Sequence, residues 1–367
     1  MSSLYIGVMS GTSLDGVDAV AVDFSDGIQA LGHVALPMPE PLKQGLLQLN
    51  QAGHNELHLA ALAANDLVEV YTAAVQALLA QLDVPAASIA AIGAHGQTVR
   101  HQPQWQDRVG YTWQLNNPSL LAERTGIQVV ADFRSRDIAA GGQGAPLVPA
   151  FHQQVFSQPG QTVAVLNLGG MANISILQGA QVFGFDCGPG NVLLDTWCHA
   201  HTGQAFDKEG AWAATGKVSQ ALLTQLLSEP FFSLMPPKST GRDLFHAQWL
   251  NHHVQAFSGL ATVDVQATLA ALTAQTCANE VLRHAPQARQ LLVCGGGAYN
   301  LHLMHLLGQC LPGMAVSSTD SRGLPPMQVE AAAFAWLARQ TVLHLPGNLP
   351  AVTGAKGLRV LGGIYPA

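Results

Sequence analysis

The 367-residue sequence carries little charge, and its basic residues are not clustered. Asp, Glu, Lys and Arg make up 11% of the chain, with 16 basic and 23 acidic residues, so the formal net charge is −7. The scattered basic residues form no run that reads as a nucleic-acid patch, so no nucleic-acid partner is expected. Hydrophobic residues reach 48%, so a large core is available and the surface must rely on uncharged polar side chains.

Cysteine pairs and long apolar runs are also missing. The five cysteines are odd in number, contain no C-x-x-C motif and show no metal-ligand spacing, which favours a reduced compartment. The first residues lack a basic segment followed by a signal-type apolar core. No apolar run approaches the roughly 20 residues that a membrane span needs. We therefore expect a cytoplasmic protein with no membrane partner.

Near the beginning of the chain, two apolar runs flank a glycine-rich turn. Residues 4–9 and 19–24 are β-prone, and residues 10–18 hold two glycines, three hydroxyls and two carboxylates. The pattern predicts a β-hairpin whose backbone N–H groups cradle phosphate, with Asp15 and Asp18 as candidate Mg²⁺ ligands. An ordinary polar turn is the alternative. The expected phosphate-binding residues are Gly11, Thr12, Ser13, Leu14, Asp15, Gly16, Val17 and Asp18.

The second half of the sequence repeats this outline. The strand predicted at 162–166 and the return strand at 174–177 flank another glycine-rich turn, which suggests a duplicated domain with a nucleotide in the cleft between the halves. A third signal is the apolar run 290–294, which ends in a glycine triplet. Glycine also serves ordinary tight turns, which is the structural alternative. The expected nucleotide-binding residues of this half are Asn167, Gly169, Gly170, Gly295, Gly296 and Gly297.

Polar side chains follow two buried strands of the first half. His95 and Gln97 follow the strand predicted at 89–94, and Asp132 and Arg134 follow the strand beginning at Val129. Ligands of α/β proteins bind at such carboxyl ends, so these four residues are substrate-site candidates. The alternatives are a histidine that only caps its strand and a solvated ion-pair cluster.

Two further carboxylates lie beside predicted helix starts. Asp186 ends an apolar strand and precedes a tight turn and a helix from Val192, which suits a general base beside bound phosphate. A turn or cap aspartate is the alternative. Glu330 opens a helix that runs to about Val342, where it either contacts a substrate hydroxyl or only complements the helix dipole.

Residues 238–243 form a polar segment after paired prolines. Lys238 either contacts phosphate or belongs to a structural loop, and Ser239 or Thr240 is a candidate N-cap of the next helix. Helical spacing elsewhere predicts helices over 57–82 and 265–284, with further helix starts near 117 and 300.

Taken in order, these motifs resemble the anhydro-N-acetylmuramic acid kinase family over nearly the whole chain. The opening signature at 6–18 is long and specific, and Cys187 stands where the family pattern has threonine. The resemblance continues through the segments at 93–98, 131–134, 141–146, 167–173, 185–191, 238–242 and 294–297.

The resemblance implies a fold and a reaction. The fold is α/β, with two duplicated ribonuclease-H-like (actin-like ATPase) domains and an interdomain cleft, the first comprising 1–131 plus about 327–367 and the second 132–326. The reaction uses ATP, Mg²⁺ and water to convert an amino-sugar substrate, 1,6-anhydro-N-acetylmuramic acid, to N-acetylmuramic acid 6-phosphate in cell-wall recycling. The family's base matches Asp186, its ATP loop matches residues 11–18, and its substrate-binding glutamate matches Glu330.

Two other functions stay open on the sequence. A plain sugar hydroxyl kinase would use the same hairpins, and so would an ATP-switched binding protein of the actin-like fold. The oligomeric state is also open, with a homodimer among the options.

Overall fold

The computed structural model describes residues 2–11, 14–106, 108–179, 181–236, 238–241 and 244–367. Its contacts divide the chain into two compact units, one formed by residues 1–151 and 328–367 and the other by residues 152–327. The sequence-based domain boundaries at 131/132 and 326/327 stay a prediction. Along the described part of the chain, no helix is both long enough and apolar enough to cross a membrane.

The first unit begins with three strands and two helices, which are followed by three more strands, a helix, a short strand and a short helix. These elements are β1 Leu4–Ser10, β2 Gly16–Asp23, β3 Gln29–Pro37, α1 Glu40–Gln48, α2 Glu56–Leu82, β4 Ile89–Ala94, β5 Gln97–Trp105, β6 Arg108–Leu115, α3 Pro118–Thr125, β7 Val129–Ala131 and α4 Ser135–Ala139.

Helix α5, Val148–Phe156, leads into the second unit. The elements that follow are β8 Thr162–Leu168, β9 Met171–Gln178, β10 Gln181–Pro189, α6 Val192–Thr202, α7 Gln220–Leu227, α8 Ala247–Val254, α9 Thr262–His284, β11 Gln290–Cys294, α10 Leu301–Cys310 and β12 Ala315–Ser318.

The chain then returns to the first unit. That unit is completed by α11 Val329–Val342, α12 Pro350–Thr353 and β13 Gly363–Tyr365. Short 3₁₀ turns lie at Ala86–Ser88, Lys208–Gly210, Ala213–Thr215, Pro230–Ser233, Gln255–Phe257, Gly296–Tyr299, Thr319–Arg322 and Pro326–Gln328.

Both units contain the same five-strand arrangement. The first sheet has the order β13-β7-β4-β1-β2-β3 and the second β10-β9-β8-β11-β12. In the first sheet, β1, β2 and β3 form an antiparallel meander, and β4 and β7 run parallel to β1. In the second sheet, β8, β9 and β10 form the meander, and β11 and β12 run parallel to β8. This is the order 3-2-1-4-5, so the predicted duplicated ribonuclease-H-like α/β fold is confirmed.

Helices cover both faces of the first sheet. Leu67, Tyr71 and Leu78 of α2 pack with Ile6 and Ile92 in one core. On the opposite face, α11 lies directly on the sheet backbone. A Cβ on Gly7 would fall 1.7 Å from the Ala331 carbonyl oxygen, and one on Gly93 would fall 2.0 Å from the Phe334 carbonyl oxygen.

The second unit has its own core. Leu166 and Leu168 of β8 pack against Cys277 and Val281 of α9. A further cluster joins α6, α7, α8 and α9, with Leu193, Leu222, Phe245, Leu250 and Leu269 at its centre.

The predicted elements agree with the structure at most positions. Helix α3 begins where expected, because the Asn117 side chain accepts a hydrogen bond from Leu120 N and Pro118 occupies the first turn. The predicted Ser239 or Thr240 cap is wrong, since His246 caps α8 by accepting from Trp249 N at 3.2 Å. Helix α1 was not predicted, because its prolines at 39 and 41 read as punctuation when they in fact begin a helix.

The β5–β6 hairpin was also not anticipated in full. Strand β5 contains Pro103 and a run of Gln, His and Arg residues, so it lacks the apolar alternation that marks a half-buried strand. It pairs with β6 as a separate two-stranded sheet.

Candidate active site

The first candidate turn lies between β1 and β2, whose pairing closes with Ser10 opposite Val17. Leu14 has a positive φ of 57° and donates its N–H to the Gly11 carbonyl, while its side chain is buried in the core. Val17 is also buried, so these two residues can offer a ligand only their backbone. Thr12 and Ser13 lie outside the described residues.

The carboxylates of this turn have different surroundings. Asp15 is exposed, and its Oδ1 lies 3.6 Å from Lys43 Nζ. Asp18 Oδ1 lies 2.7 Å from His33 Nε2, so one of its oxygens already has a partner. The described residues contain no group of three side chains able to hold a metal ion.

The second turn is short and is hydrogen-bonded to the residues just before α6. Gly169 and Gly170 join β8 to β9, and their carbonyls accept from the N–H groups of Asn191 and Gly190 at 2.9 Å. A Cβ on Gly190 would lie 2.4 Å from the Gly169 oxygen, which explains the glycine there. The predicted turn therefore lies against the start of α6.

The glycine triplet contacts the same strand end. Gly295 has a φ of 78°, and a Cβ there would lie 2.5 Å from Asn167 Oδ1. A Cβ on Gly297 would lie 2.5 Å from Leu168 Cβ, whereas one on Gly296 would meet only Met327 Sδ at 3.8 Å. Two glycines of the triplet are thus required by packing, whereas Gly296 is exposed and has open space beside its Cα.

In the first unit, His95 and Arg134 form one hydrogen-bonded group. Arg134 Nη2 lies 2.9 Å from His95 Nε2, and its Nη1 donates to the Gly144 carbonyl at 2.8 Å. Burial, with the Arg134 charge, holds the pKa of His95 well below its usual value. The imidazole is therefore neutral and accepts from the guanidinium through Nε2.

Arg134 keeps its charge in spite of burial. Burial lowers its pKa to about 10, and the carboxylates of Glu330 and Asp137 oppose that shift. Glu330, in the first turn of α11, is thus near the His95–Arg134 group. Asp137 is fully buried and accepts from Gly144 N, Asn348 Nδ2 and Thr353 Oγ1, which fixes the loop that Arg134 contacts.

The other two candidates of this unit differ in burial. Gln97 is buried, and its Oε1 has no hydrogen-bond partner among the described residues. Asp132 is exposed and has a φ of 60°, a conformation that non-glycine residues adopt rarely and often at functional sites. Asn116 was missed from sequence, although its amide, next to Gly96, is likewise buried with no partner among the described residues.

Asp186 lies at a bulge in the edge strand β10. The register shifts between Asp186 and Gly188, so Cys187 is the extra residue, and such bulges redirect side chains. Thr240 N–H donates to Asp186 Oδ2 at 2.9 Å, and Asp186 N–H donates to the Lys238 carbonyl at 3.2 Å. The predicted base is therefore held from both its main chain and its side chain.

The environment of Asp186 raises its pKa to about 6. Burial is the largest cause, and the Thr240 N–H and the charge of Lys238 partly offset it. Such a carboxyl is ionised at neutral pH but remains basic enough to take a proton, which is the requirement for a general base.

Lys238 itself is not available to phosphate. Its Nζ lies 3.0 Å from Glu280 Oε1, and the two side chains are 2% and 3% exposed. The structural-loop alternative is therefore the correct one for Lys238. Glu280 was not identified from the sequence. Its place one helical turn after Cys277, on the apolar face of α9, nevertheless indicates a buried carboxylate.

Comparison with known proteins gives the family. The profile of the family "AnmK: Anhydro-N-acetylmuramic acid kinase" matches residues 3–367. An anhydro-N-acetylmuramic acid kinase of Albidiferax ferrireducens is 58% identical over 389 residues, covering 100% of both chains, and one of Variovorax paradoxus is 57% identical over 371 residues, covering 99% of both. The chain belongs to the anhydro-N-acetylmuramic acid kinase family.

A solved structure with a similar outline is the activator of 2-hydroxyisocaproyl-CoA dehydratase from Clostridium difficile with bound ADPNP. It covers 93% of this chain and 96% of its own, at 12% identity and a TM-score of 0.48.

Proposed function

We propose that this protein is an ATP-dependent kinase that opens 1,6-anhydro-N-acetylmuramic acid with water and phosphorylates O6, giving N-acetylmuramic acid 6-phosphate and ADP. Family membership supports the substrate. The observation that carries the chemistry is the Asp186 carboxyl, hydrogen-bonded by Thr240 N–H and with its pKa raised to about 6.

The reaction divides into two steps. Asp186 takes a proton from water as the water oxygen attacks the anomeric carbon, and the bond from that carbon to the bridging O6 breaks. The freed O6 then attacks the γ-phosphorus, and ADP leaves. Phosphoryl transfer of this kind needs mainly positioning and charge stabilisation.

For the nucleotide, the supporting features are the glycine turns. Backbone N–H groups of the turn at 11–18 are the proposed phosphate ligands, and the exposed backbone at Gly296 is proposed to contact the adenine ring. Mg²⁺, with Asp15 and Asp18 as its proposed ligands, would neutralise phosphate charge. Asn167, Gly169, Gly170, Gly295 and Gly297 complete the proposed ATP-binding set.

For the sugar, the supporting feature is the polar group of the first unit. The charged Arg134, the neutral His95 and the buried Gln97 oxygen provide donors and acceptors suited to hydroxyl, amide and carboxylate groups. Asp132 and Glu330 are proposed to bind sugar hydroxyls. Such a substrate arises in cell-wall recycling, which fits the cytoplasmic location expected from the sequence.

Isotope labelling tests the reaction. Purified protein, ATP, Mg²⁺ and anhydro-sugar are incubated in ¹⁸O-water, and the product is analysed by mass spectrometry. The proposal requires one ¹⁸O at the anomeric carbon of a 6-phosphate. A phosphorylated product that still contains the anhydro bridge would instead establish the plain hydroxyl kinase. Binding of ATP without any phosphorylated product would establish the ATP-switched binding protein.

Substitution of the base tests the mechanism. Asp186→Asn is expected to abolish turnover with nucleotide binding retained, because an amide cannot accept the proton of the attacking water. In the unaltered protein, kcat should fall as pH drops through about 6, where Asp186 becomes protonated. Turnover in Asp186→Asn at the normal rate would exclude Asp186 as the base.

A further inference from the structure

Lys238 and Glu280 form a buried ion pair, a kind of contact that contributes little net stability to a fold. The atoms Nζ and Oε1 are 3.0 Å apart, and Lys238 Nζ also lies 4.9 Å from the centroid of the Phe231 ring. Removing two charges from water carries a large desolvation cost, and apolar replacements of such pairs are often neutral or stabilising. Its role is therefore to be sought in what the pair holds in place.

The pair holds the segment that contacts the base. Lys238 is the first residue of the segment 238–241. Within that segment, the Lys238 carbonyl accepts a hydrogen bond from Asp186 N–H, and Thr240 N–H donates one to the Asp186 carboxylate. Glu280 belongs to α9, a 23-residue helix packed in the core of the second unit. The ion pair thus ties a non-helical segment to a rigid element, two residues from the N–H group that orients the carboxylate.

We propose that Lys238 and Glu280 are positioning residues for the base: their ion pair anchors residues 238–241 to α9, so that Thr240 N–H holds the Asp186 carboxylate in the orientation needed for proton transfer. This inference rests on the proposed function, in which Asp186 is the base. Neither residue needs to touch the sugar or the nucleotide.

The surrounding charges define what a variant should change. Glu280 also lies 3.5 Å from Arg283 Nη1 and 3.2 Å from His284 Nε2, and the Cys187 thiol lies near Cys277, Glu280 and Asp186. The charge of Lys238 and the Thr240 N–H both lower the pKa of Asp186. Loss of the pair removes both influences, so the acidic limb of the pH–rate profile should move to higher pH.

The kinetic test uses the double variant Lys238→Met/Glu280→Met, which keeps the side chains long and apolar. We expect native circular dichroism, a kcat at least tenfold lower, a KM for ATP within twofold of the unaltered protein, and an acidic limb at higher pH. The matched control is Arg283→Gln, which contacts the same Glu280 from a half-exposed position and should leave all three quantities unchanged. A double variant with unaltered kcat and acidic limb overturns the proposal.

A gentler variant covers the case in which the double variant does not fold. Glu280→Asp keeps the charge but shortens the side chain by one carbon, so the anchor is stretched. A kcat reduced severalfold with an unchanged KM for ATP is expected, and an unaltered kcat overturns the proposal.

A measurement without turnover separates this inference from the proposed function. In protein labelled with ¹⁵N-threonine, the Thr240 amide resonance, assigned through Thr240→Ser, should titrate near pH 6 with Asp186 and should not titrate in Asp186→Asn. In the double variant that titration should disappear, and its persistence would overturn the inference. Normal turnover by Asp186→Asn would refute the role of Asp186 as the base. The titration of the Thr240 amide would still test whether the ion pair positions Thr240 against Asp186.

Discussion

Burial of the Asp186 carboxylate has two consequences of opposite value to the protein. It raises the pKa to about 6, which makes the group a better base near neutral pH. It also destabilises the folded state, because the ionised form loses hydration. The folded pKa exceeds the unfolded value of about 3.9, so the penalty develops as pH rises from about 4 to 6 and is complete above 6. Two pKa units correspond to about 3 kcal/mol as an upper bound.

Asp186→Asn should therefore stabilise the protein at pH 7.5, by up to about 3 kcal/mol, since the neutral amide avoids the desolvation penalty and its oxygen still accepts from Thr240 N–H. The advantage should shrink towards pH 4, where the unaltered carboxyl is protonated. Urea unfolding at several pH values measures this difference. A stability difference that is constant with pH would show that the carboxylate carries no such penalty.

Arg134 illustrates a residue whose geometry matters as much as its charge. Its planar fork reaches His95 Nε2 and the Gly144 carbonyl together, which a lysine ammonium cannot reproduce. Arg134→Lys should raise the KM for the sugar about tenfold and leave the KM for ATP unchanged. The control is Arg124→Lys, in which the exposed pair with Glu69 contributes little. Equal effects of the two substitutions on the sugar KM would contradict the assignment of Arg134 to the sugar site.

At the level of elements, the close approach of α11 to the first sheet depends on glycine. Gly7 of β1 and Gly93 of β4 lie beneath the backbone of α11 with no room for a Cβ. The first turn of the same helix carries Glu330, so this packing also places a proposed substrate residue. The glycines of β1 and β4 therefore determine how closely α11 approaches the sheet and, with it, the position of Glu330.

Gly7→Ala should destabilise the protein by about 3 kcal/mol or more, because the added methyl would lie 1.7 Å from the Ala331 oxygen and the helix backbone must shift. Gly45→Ala is the matched control. It lies within α1 with nothing within 4 Å of the new Cβ, and should be neutral or stabilising by roughly 0.5–1 kcal/mol. Thermal and urea unfolding of both variants provide the measurement, and similar unfolding of the two would refute the packing argument.

For the whole molecule, the two units repeat one strand order while each builds its own core. The five cysteines are all free, and the four other than Cys310 are buried. Burial also raises the pKa of the Cys310 thiol, which lowers the fraction present as the reactive thiolate.

A thiol titration with a disulfide reagent should therefore find Cys310 reacting alone and slowly in the native protein. All five thiols should react in guanidinium chloride, where burial is lost. The control is Cys310→Ser, whose native form should not react on the same timescale. Rapid reaction of several thiols under native conditions would show that the cores of the units open readily.

The sequence by itself determined the features that depend on neighbouring residues. Alternating apolar residues and glycine turns predicted the hairpins at β1–β2 and β8–β9, and Asn117 and Pro118 marked the start of α3, because strand pairing across a short turn and helix capping are local. The repeat of the hairpin pattern predicted a duplicated domain, and the family resemblance supplied the ribonuclease-H-like fold of each half. The family motifs also named the site residues, although their roles stay predictions.

Only the tertiary structure decided which distant side chains meet and how deeply each is buried. The pairs Arg134–His95 and Lys238–Glu280 join residues 39 and 42 positions apart, and burial of Lys238 against Glu280 excludes it as a phosphate ligand. The raised pKa of Asp186 likewise comes from surroundings brought together by folding. Desolvation and long-range contact depend on the whole packed chain, so no local pattern of residues encodes them.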